Sequence, residues 1–198
     1  MTKVFVNSLP KSGTNLLESI LVRMPGLREQ RFLGLNRSIR FHPLNMFSIG
    51  RRTCEVGVKS PHVSKVTAVK FSMTLLRSGR FALGHVPYSK DVEEILTALN
   101  IRPIIVVRNP RDVVLSSVHY AVKNRGHFLN SSLSQQSDIK QQLVSVIQGG
   151  VTDAGYRFLG IGEQIERVIG WVESPKCLTV RFEDVVGSQG GGSEAKQQ

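Results

Sequence analysis

The residues Pro10-Lys11-Ser12-Gly13-Thr14 stand between a short apolar run, Val4-Phe5-Val6, and the segment Leu16-Leu17-Glu18-Ser19-Ile20-Leu21-Val22. That order predicts a buried strand, a tight turn and a helix. A turn at a helix N-terminus leaves several backbone N–H groups aimed at one point, where the helix dipole adds positive potential. Lys11 and the hydroxyls of Ser12 and Thr14 complete a cradle for a phosphate-like anion, as in a nucleotide. Pro10 stiffens the turn, Gly13 permits close backbone approach, and Thr14 can cap the helix. The lysine precedes the glycine, so this is not a Walker loop, where it follows. The plainer alternative is a helix-capping turn with a solvent-facing lysine.

A second constellation runs from Val106 to Ser117, Val-Val-Arg-Asn-Pro-Arg-Asp-Val-Val-Leu-Ser-Ser. Arg108 falls at the end of an apolar strand, and ligands of open parallel sheets gather outside such ends. Pro110 suits the first turn of the following helix. Ser116 lies one helical turn beyond Asp112 and shares a face with it. Arg108 with Ser116 makes a second anion site. The alternative is a structural ion pair between Arg108 and Asp112.

Together the two segments resemble the sulfotransferases that use 3′-phosphoadenosine-5′-phosphosulfate (PAPS). The family's first signature, Tyr-Pro-Lys-Ser-Gly-Thr-x-Trp, corresponds to Leu9–Leu16. Its second, Arg-Asn-x-x-Asp-x-x-x-Ser, is present in full from Arg108 to Ser116. Val180-Arg181-Phe182-Glu183-Asp184 is similar to the family's late strand ending in Tyr-Glu-Asp. The resemblance implies a nucleotide-binding α/β fold of the P-loop kind, with three layers and a central parallel sheet. It implies that Lys11, with the loop residues Ser12, Gly13, Thr14 and Asn15, holds the 5′-phosphosulfate, Lys11 also stabilising the leaving oxygen. Arg108 and Ser116 are implied to hold the 3′-phosphate. His85, in Gly84-His85-Val86-Pro87, sits where the family's His-x-Pro histidine serves as general base; near-neutral imidazole suits that task. His42, His62, His119 and His127 are read as structural. The cofactor is then PAPS, the product adenosine 3′,5′-bisphosphate, the acceptor a hydroxyl of a small molecule, glycan or lipid, and no metal is required.

Three departures from the family pattern stand out. Leu16 replaces the tryptophan that stacks on adenine. Leu83 replaces the lysine that many cytosolic members carry two residues before the histidine. The basic, glycine-containing segment that closes over the 3′-phosphate has no counterpart up to Gln198, so the sequence reads as a shortened form.

Alternating apolar bursts and helical periods place these motifs on a parallel sheet with crossover helices. The expected strands are 3–8, 81–86, 103–107 and 176–182, with Cys177 buried in the last. The expected helices are 14–23, 62–76, 90–99, 111–123, 138–148 and 162–172. Residues 27–60 read as irregular and basic, and 124–137 as a mobile polar loop or lid. The expected organisation is one domain over 1–186, followed by a flexible glycine-rich tail over 187–198.

A chain of 198 residues suffices for one such domain. The apolar runs are too short for a membrane span, and Met1-Thr2-Lys3 enters a strand without the pattern of a signal peptide. Two cysteines, Cys54 and Cys177, make no disulfide framework. These features point to the cytoplasm. The net charge is +11, with basic residues concentrated between Arg23 and Arg52. A cofactor with several negative charges accounts for part of that excess; the basic residues of 28–52 could favour an acidic acceptor, or Phe32, Phe41, Phe47 and Phe81 could equally line an apolar acceptor pocket. No zinc-finger spacing or aromatic-interleaved RNA motif supports nucleic-acid binding. The other readings are a small-molecule P-loop kinase and a catalytically inactive nucleotide-binding fragment.

Overall fold

The computed structural model describes residues 2–30 and 50–190. A central sheet collects β1 (Lys3–Ser8), β2 (Arg28–Glu29), β5 (Arg80–Gly84), β6 (Ile101–Val107) and β9 (Leu178–Arg181) in the order β2-β5-β1-β6-β9. Every pairing is parallel. The most apolar strands are central, as parallel sheets covered on both faces require. Between β2 and β5 lie a hairpin of β3 (Thr53–Val56) and β4 (His62–Lys65), then α2 (Val66–Thr74). A second hairpin pairs β7 (Gly149–Val151) with β8 (Arg157–Leu159).

Alternation along β1 divides the core. Phe5 joins Ala82 and Ile105 on one face of the sheet. That face is covered by α2, α3 (Lys90–Ala98) and α7 (Ile161–Glu173), whose buried residues include Val69, Met73, Val92, Leu96, Val168 and Trp171. Val4 and Val6 join Phe81 and Val106 on the other face, against Leu17 and Leu21 of α1 (Thr14–Arg23). The result is the three-layer α/β/α arrangement expected from the sequence. A separate cluster joins α4 (Pro110–Lys123), α5 (Asn130–Ser134) and α6 (Ile139–Gln148) through Val114, Val118, Leu129, Leu133 and Val146.

Five local expectations are corrected. Residues 27–60, expected to be irregular, contain β2 and β3. His62–Lys65 is a strand, and the helix expected from 62 starts only at Val66, because Cys54 and Val56 supply a partner strand. Residues 124–137 contain α5, anchored by fully buried Leu129 and Leu133, and so form a packed segment. The last strand ends at Arg181, where α8 (Phe182–Val186) begins. Cys177 precedes that strand and is half-buried. Gly187–Gly190 forms a 3-10 turn. The rest of the expected tail lies outside the described residues, as do Phe32, Phe41, Phe47 and most of the basic segment 23–52.

Candidate active site

The tips of β1 and β6 are neighbours, with Ser8 in register with Val106. At the first tip the main chain does the building. Lys11 has φ +72° and Gly13 has φ +105°. A left-handed backbone at a non-glycine residue costs about 1–3 kcal/mol and persists where the surroundings dictate it. A Cβ at position 13 would overlap the ring of Phe182, so the position requires glycine on both counts. Gly13 is the N-cap of α1 and brings no side-chain cap. The N–H of Ser12 donates to Leu9 O at 3.2 Å, whereas those of Gly13, Thr14 and Asn15 find no acceptor among the described residues. Thr14 is the first helical residue and does not cap; its Oγ1 lies 2.5 Å from Ser8 Oγ. Ser12 is fully buried, its Oγ without a partner.

Side chains build the second tip. Arg108 lies over the ring of Phe182, 4.2 Å from its centroid, and donates through Nη1 to the carbonyl of Lys11 at 3.3 Å. Its Nε is buried and unpartnered. The ion pair with Asp112 considered from the sequence is not among those formed by the described residues. Glu183, one residue after Phe182, accepts the N–H of Asn109 at 2.7 Å and fixes the turn into α4. Asn109 caps that helix, its side chain accepting from Arg111 N–H. Ser116 stands on α4 facing the same space as Arg108.

His85 follows β5 and is aligned by its neighbours. Buried Asn7 clasps both polar main-chain groups of Val86, donating to its O and accepting from its N–H, each at 2.8 Å. Trp171 Nε1 donates to the same Val86 carbonyl at 3.0 Å. The imidazole places Nδ1 2.8 Å from Ser8 O and 3.2 Å from Ser8 Oγ. A carbonyl only accepts, so Nδ1 carries the hydrogen and Nε2 keeps a free lone pair. Burial lowers the pKa of His85, partly opposed by the hydrogen bond to Ser8 O.

These groups open on one cleft of ≈ 580 Å³. Lys11, Gly13, Thr14, Asn15, His85, Arg108 and Ser116 all line it. Two described residues expected at the site are absent from the wall: Ser12, and Phe81, which is fully buried in the core against Leu17 and Leu21 of α1 and lines no acceptor pocket. Leu16 and Leu83, the two apolar departures noted above, line it as well. The cleft also recruits Lys59, Tyr120 and His127. Tyr120 places its ring under Lys11 Nζ, 3.8 Å from the centroid. His127 was expected to be structural, yet it meets the cleft edge-on to Tyr120. Nothing local marks either residue; His127 arrives because Leu129 and Leu133 tie its loop to α4. Lys59, in an unremarkable Lys-Ser-Pro turn, arrives because Val58 N–H donates to His85 O at 3.0 Å. Among the described residues no group of His, Cys, Asp and Glu is placed to hold a metal ion, and no helix is long and apolar enough to cross a membrane.

A comparison with curated protein sequences finds no match. Among solved structures, the chain is similar to a mouse sulfotransferase, SULT7A1, crystallised with PAP. The TM-score is 0.57 at 16% identity, over 93% of this chain and 53% of that one. The likeness shows a shared fold, and the chain spans about half the length of that protein. The sequence model of the sulfotransferase domain matches residues 1–187, from the first strand to the end of α8. Cradle, arginine notch and histidine thus lie within the matched region, and the chain belongs to the sulfotransferase domain family.

Proposed function

We propose that the protein transfers a sulfuryl group from PAPS to the hydroxyl of a small-molecule, glycan or lipid acceptor, with His85 as general base. The observation that carries this reading is the convergence of the Lys11 cradle and the Arg108–Ser116 notch on one cleft beside His85. The residues fit a ligand with an anion at each end. The cradle offers open amides and no room for a Cβ, and the notch offers a buried guanidinium nitrogen without a protein acceptor.

PAPS, when bound, supplies an activated sulfuryl group and a phosphate that leaves readily. The protein holds, aligns and neutralises. Lys11 and the amides of Gly13, Thr14 and Asn15 hold the 5′ end, and Lys11 balances the charge that grows on the bridging oxygen. Arg108 and Ser116 hold the 3′-phosphate and so select against nucleotides that lack it. The Nε2 lone pair of His85 takes the proton of the attacking hydroxyl. Its depressed pKa keeps the ring neutral, and therefore competent, below the usual histidine range. The Ser8–Thr14 contact ties the base to the cradle through a short chain of hydroxyls.

Calorimetry with adenosine 3′,5′-bisphosphate, ADP and ATP tests the reading. Selective binding of the first is expected; equal binding of ADP would remove the 3′-phosphate assignment. His85→Ala is expected to keep bisphosphate binding and to lose transfer from labelled PAPS by ~10²–10⁴-fold. An unchanged rate would take His85 out of the mechanism.

A further inference from the structure

Among the described residues, the two notches leave Lys59 as the cation of the cleft that they do not use. Lys59 lies in the turn between β3 and β4, is only 9% exposed, and lines the cleft. Its main chain is held from two sides. Val58 N–H donates to His85 O at 3.0 Å, and Leu159 N–H donates to Lys59 O at 2.9 Å. Its ammonium takes part in none of the ion pairs among the described residues. The Phe128 ring, with its centroid 5.8 Å from Nζ, is a weak substitute. A buried cation without a counter-charge is costly, and a site that keeps one in place is prepared for an anion.

His127 lines the same cleft, with its ring centroid 4.7 Å from that of Phe128, the ring Lys59 Nζ faces. Its Nδ1 accepts the N–H of Leu129 at 3.3 Å, which puts the ring hydrogen on Nε2. Burial, then Lys59, then Lys11 hold its pKa at about 4. It is therefore a neutral donor near neutral pH. Burial first and Lys11 second bring Lys59 down to about 8, so it is mostly charged there. Arg108 figures in neither shift. Among the described residues the cleft wall contains Lys11, Lys59 and Arg108 and no aspartate or glutamate.

We propose that Lys59 and His127, beside Lys11, form a separate oxyanion subsite of the cleft, for a sulfate-like or carboxylate group. The inference deepens the sulfuryl-transfer reading and rests on it for the source of the anion: the sulfuryl end of PAPS, or an acid group on the acceptor. In either case Lys59 supplies the charge and His127 Nε2–H the second donor. The Arg108–Ser116 notch stays committed to the opposite end of the nucleotide.

Lys59→Met removes the charge and keeps the bulk, and His127→Phe keeps a ring at the position. Three titrations separate the possibilities: adenosine 3′,5′-bisphosphate, PAPS, and inorganic sulfate added to protein saturated with the bisphosphate. Lys59→Met is expected to bind the bisphosphate within about 3-fold of wild type. It is expected to lose ~10–100-fold toward PAPS if the sulfuryl group is the occupant, or toward sulfate if an acceptor acid is. His127→Phe should lose several-fold in the same arm. Binding at pH 8 should also take up roughly half a proton, seen as a dependence of heat on buffer ionisation, and Lys59→Met should abolish the uptake. Lys11, Arg108, His85, Tyr120 and His127 also face the cleft, so that loss assigns the proton. If Lys59→Met does not fold, His127→Phe and the wild-type proton uptake carry the test. Wild-type affinity in both the PAPS and sulfate arms, with bisphosphate binding intact, would overturn the subsite. If wild-type protein binds no nucleotide, the sulfuryl-transfer reading falls instead. Sulfate titrated into the free wild type and Lys59→Met then decides the subsite alone.

Discussion

The two proposed anion notches at the tips of β1 and β6 are built by different means. The first is made of backbone: a left-handed Lys11, a left-handed Gly13 and the open amides at the start of α1. The second is made of side chains, with Arg108 laid on Phe182 and tied to the Lys11 carbonyl while Glu183 holds the turn below it. A backbone notch is specified by a few adjacent residues. A side-chain notch needs parts far apart in the sequence, here residues 108 and 182, which follow the paired strands β6 and β9. Phe182 joins them, since the same ring excludes a Cβ at position 13 and supports the guanidinium at 108.

The strongest way to break this comparison is Gly13→Val. A branched side chain there strains the backbone and displaces Phe182, so both notches fail together. Nucleotide binding is expected to vanish in calorimetry, with a stability loss of about 1–3 kcal/mol in a denaturant melt. Retained selectivity for a 3′-phosphate would show that the notches do not share that ring. Lys11→Met and Arg108→Met separate the two ends. Lys11→Met should slow transfer by ~10²–10³-fold, because it removes charge from the leaving oxygen. Arg108→Met should weaken adenosine 3′,5′-bisphosphate by ~10–100-fold and leave ADP unaffected. If ADP suffered equally, Arg108 would be bracing the cradle and not reading the 3′-phosphate.

Phe182→Leu gives a smaller effect. Losing the aromatic face beneath Arg108 should cost roughly 3–10-fold in bisphosphate affinity, with Lys11-dependent chemistry preserved. The smallest effect concerns His127, which belongs to neither notch. Its folded pKa of about 4 lies below that of an exposed histidine. The unfolded chain therefore binds the extra proton between roughly pH 6.5 and 4, and stability falls as pH drops through that window. His127→Phe should flatten the slope in thermal melts across that range; an unchanged slope would assign it to other groups.

Much of this arrangement was legible in the chain. β1, α1 and the loop between them follow from the apolar run, the glycine and the helical period, and the structure places their boundaries at Lys3–Ser8 and Thr14–Arg23 as expected. β6 and α4 were plain apart from their starts, since the apolar run 103–107 followed by Arg-Asn-Pro-Arg-Asp has few other readings; the strand begins two residues earlier, at Ile101, and the helix one earlier, at Pro110. Periodicity failed where short segments depend on partners. His62–Lys65 is four residues long and becomes a strand only because Thr53–Val56 lies beside it. The polar stretch 124–137 looks solvated until Leu129 and Leu133 find the cluster on α4 and α6.

The sequence by itself marked two points, a lysine–glycine turn and an arginine at a strand end, because each is encoded within about nine consecutive residues. It also determined that parallel strands present them on one side of a sheet. Tertiary structure alone decided that Phe182 serves both notches, that Asn7 and Trp171 lock the loop carrying His85, and that Lys59 and His127 enter the cleft. The contacts of Phe182, Asn7 and Trp171 join residues 70 or more positions apart. Local propensity carries no information about such distances; only the packing of helices onto both faces of the sheet brings the side chains together.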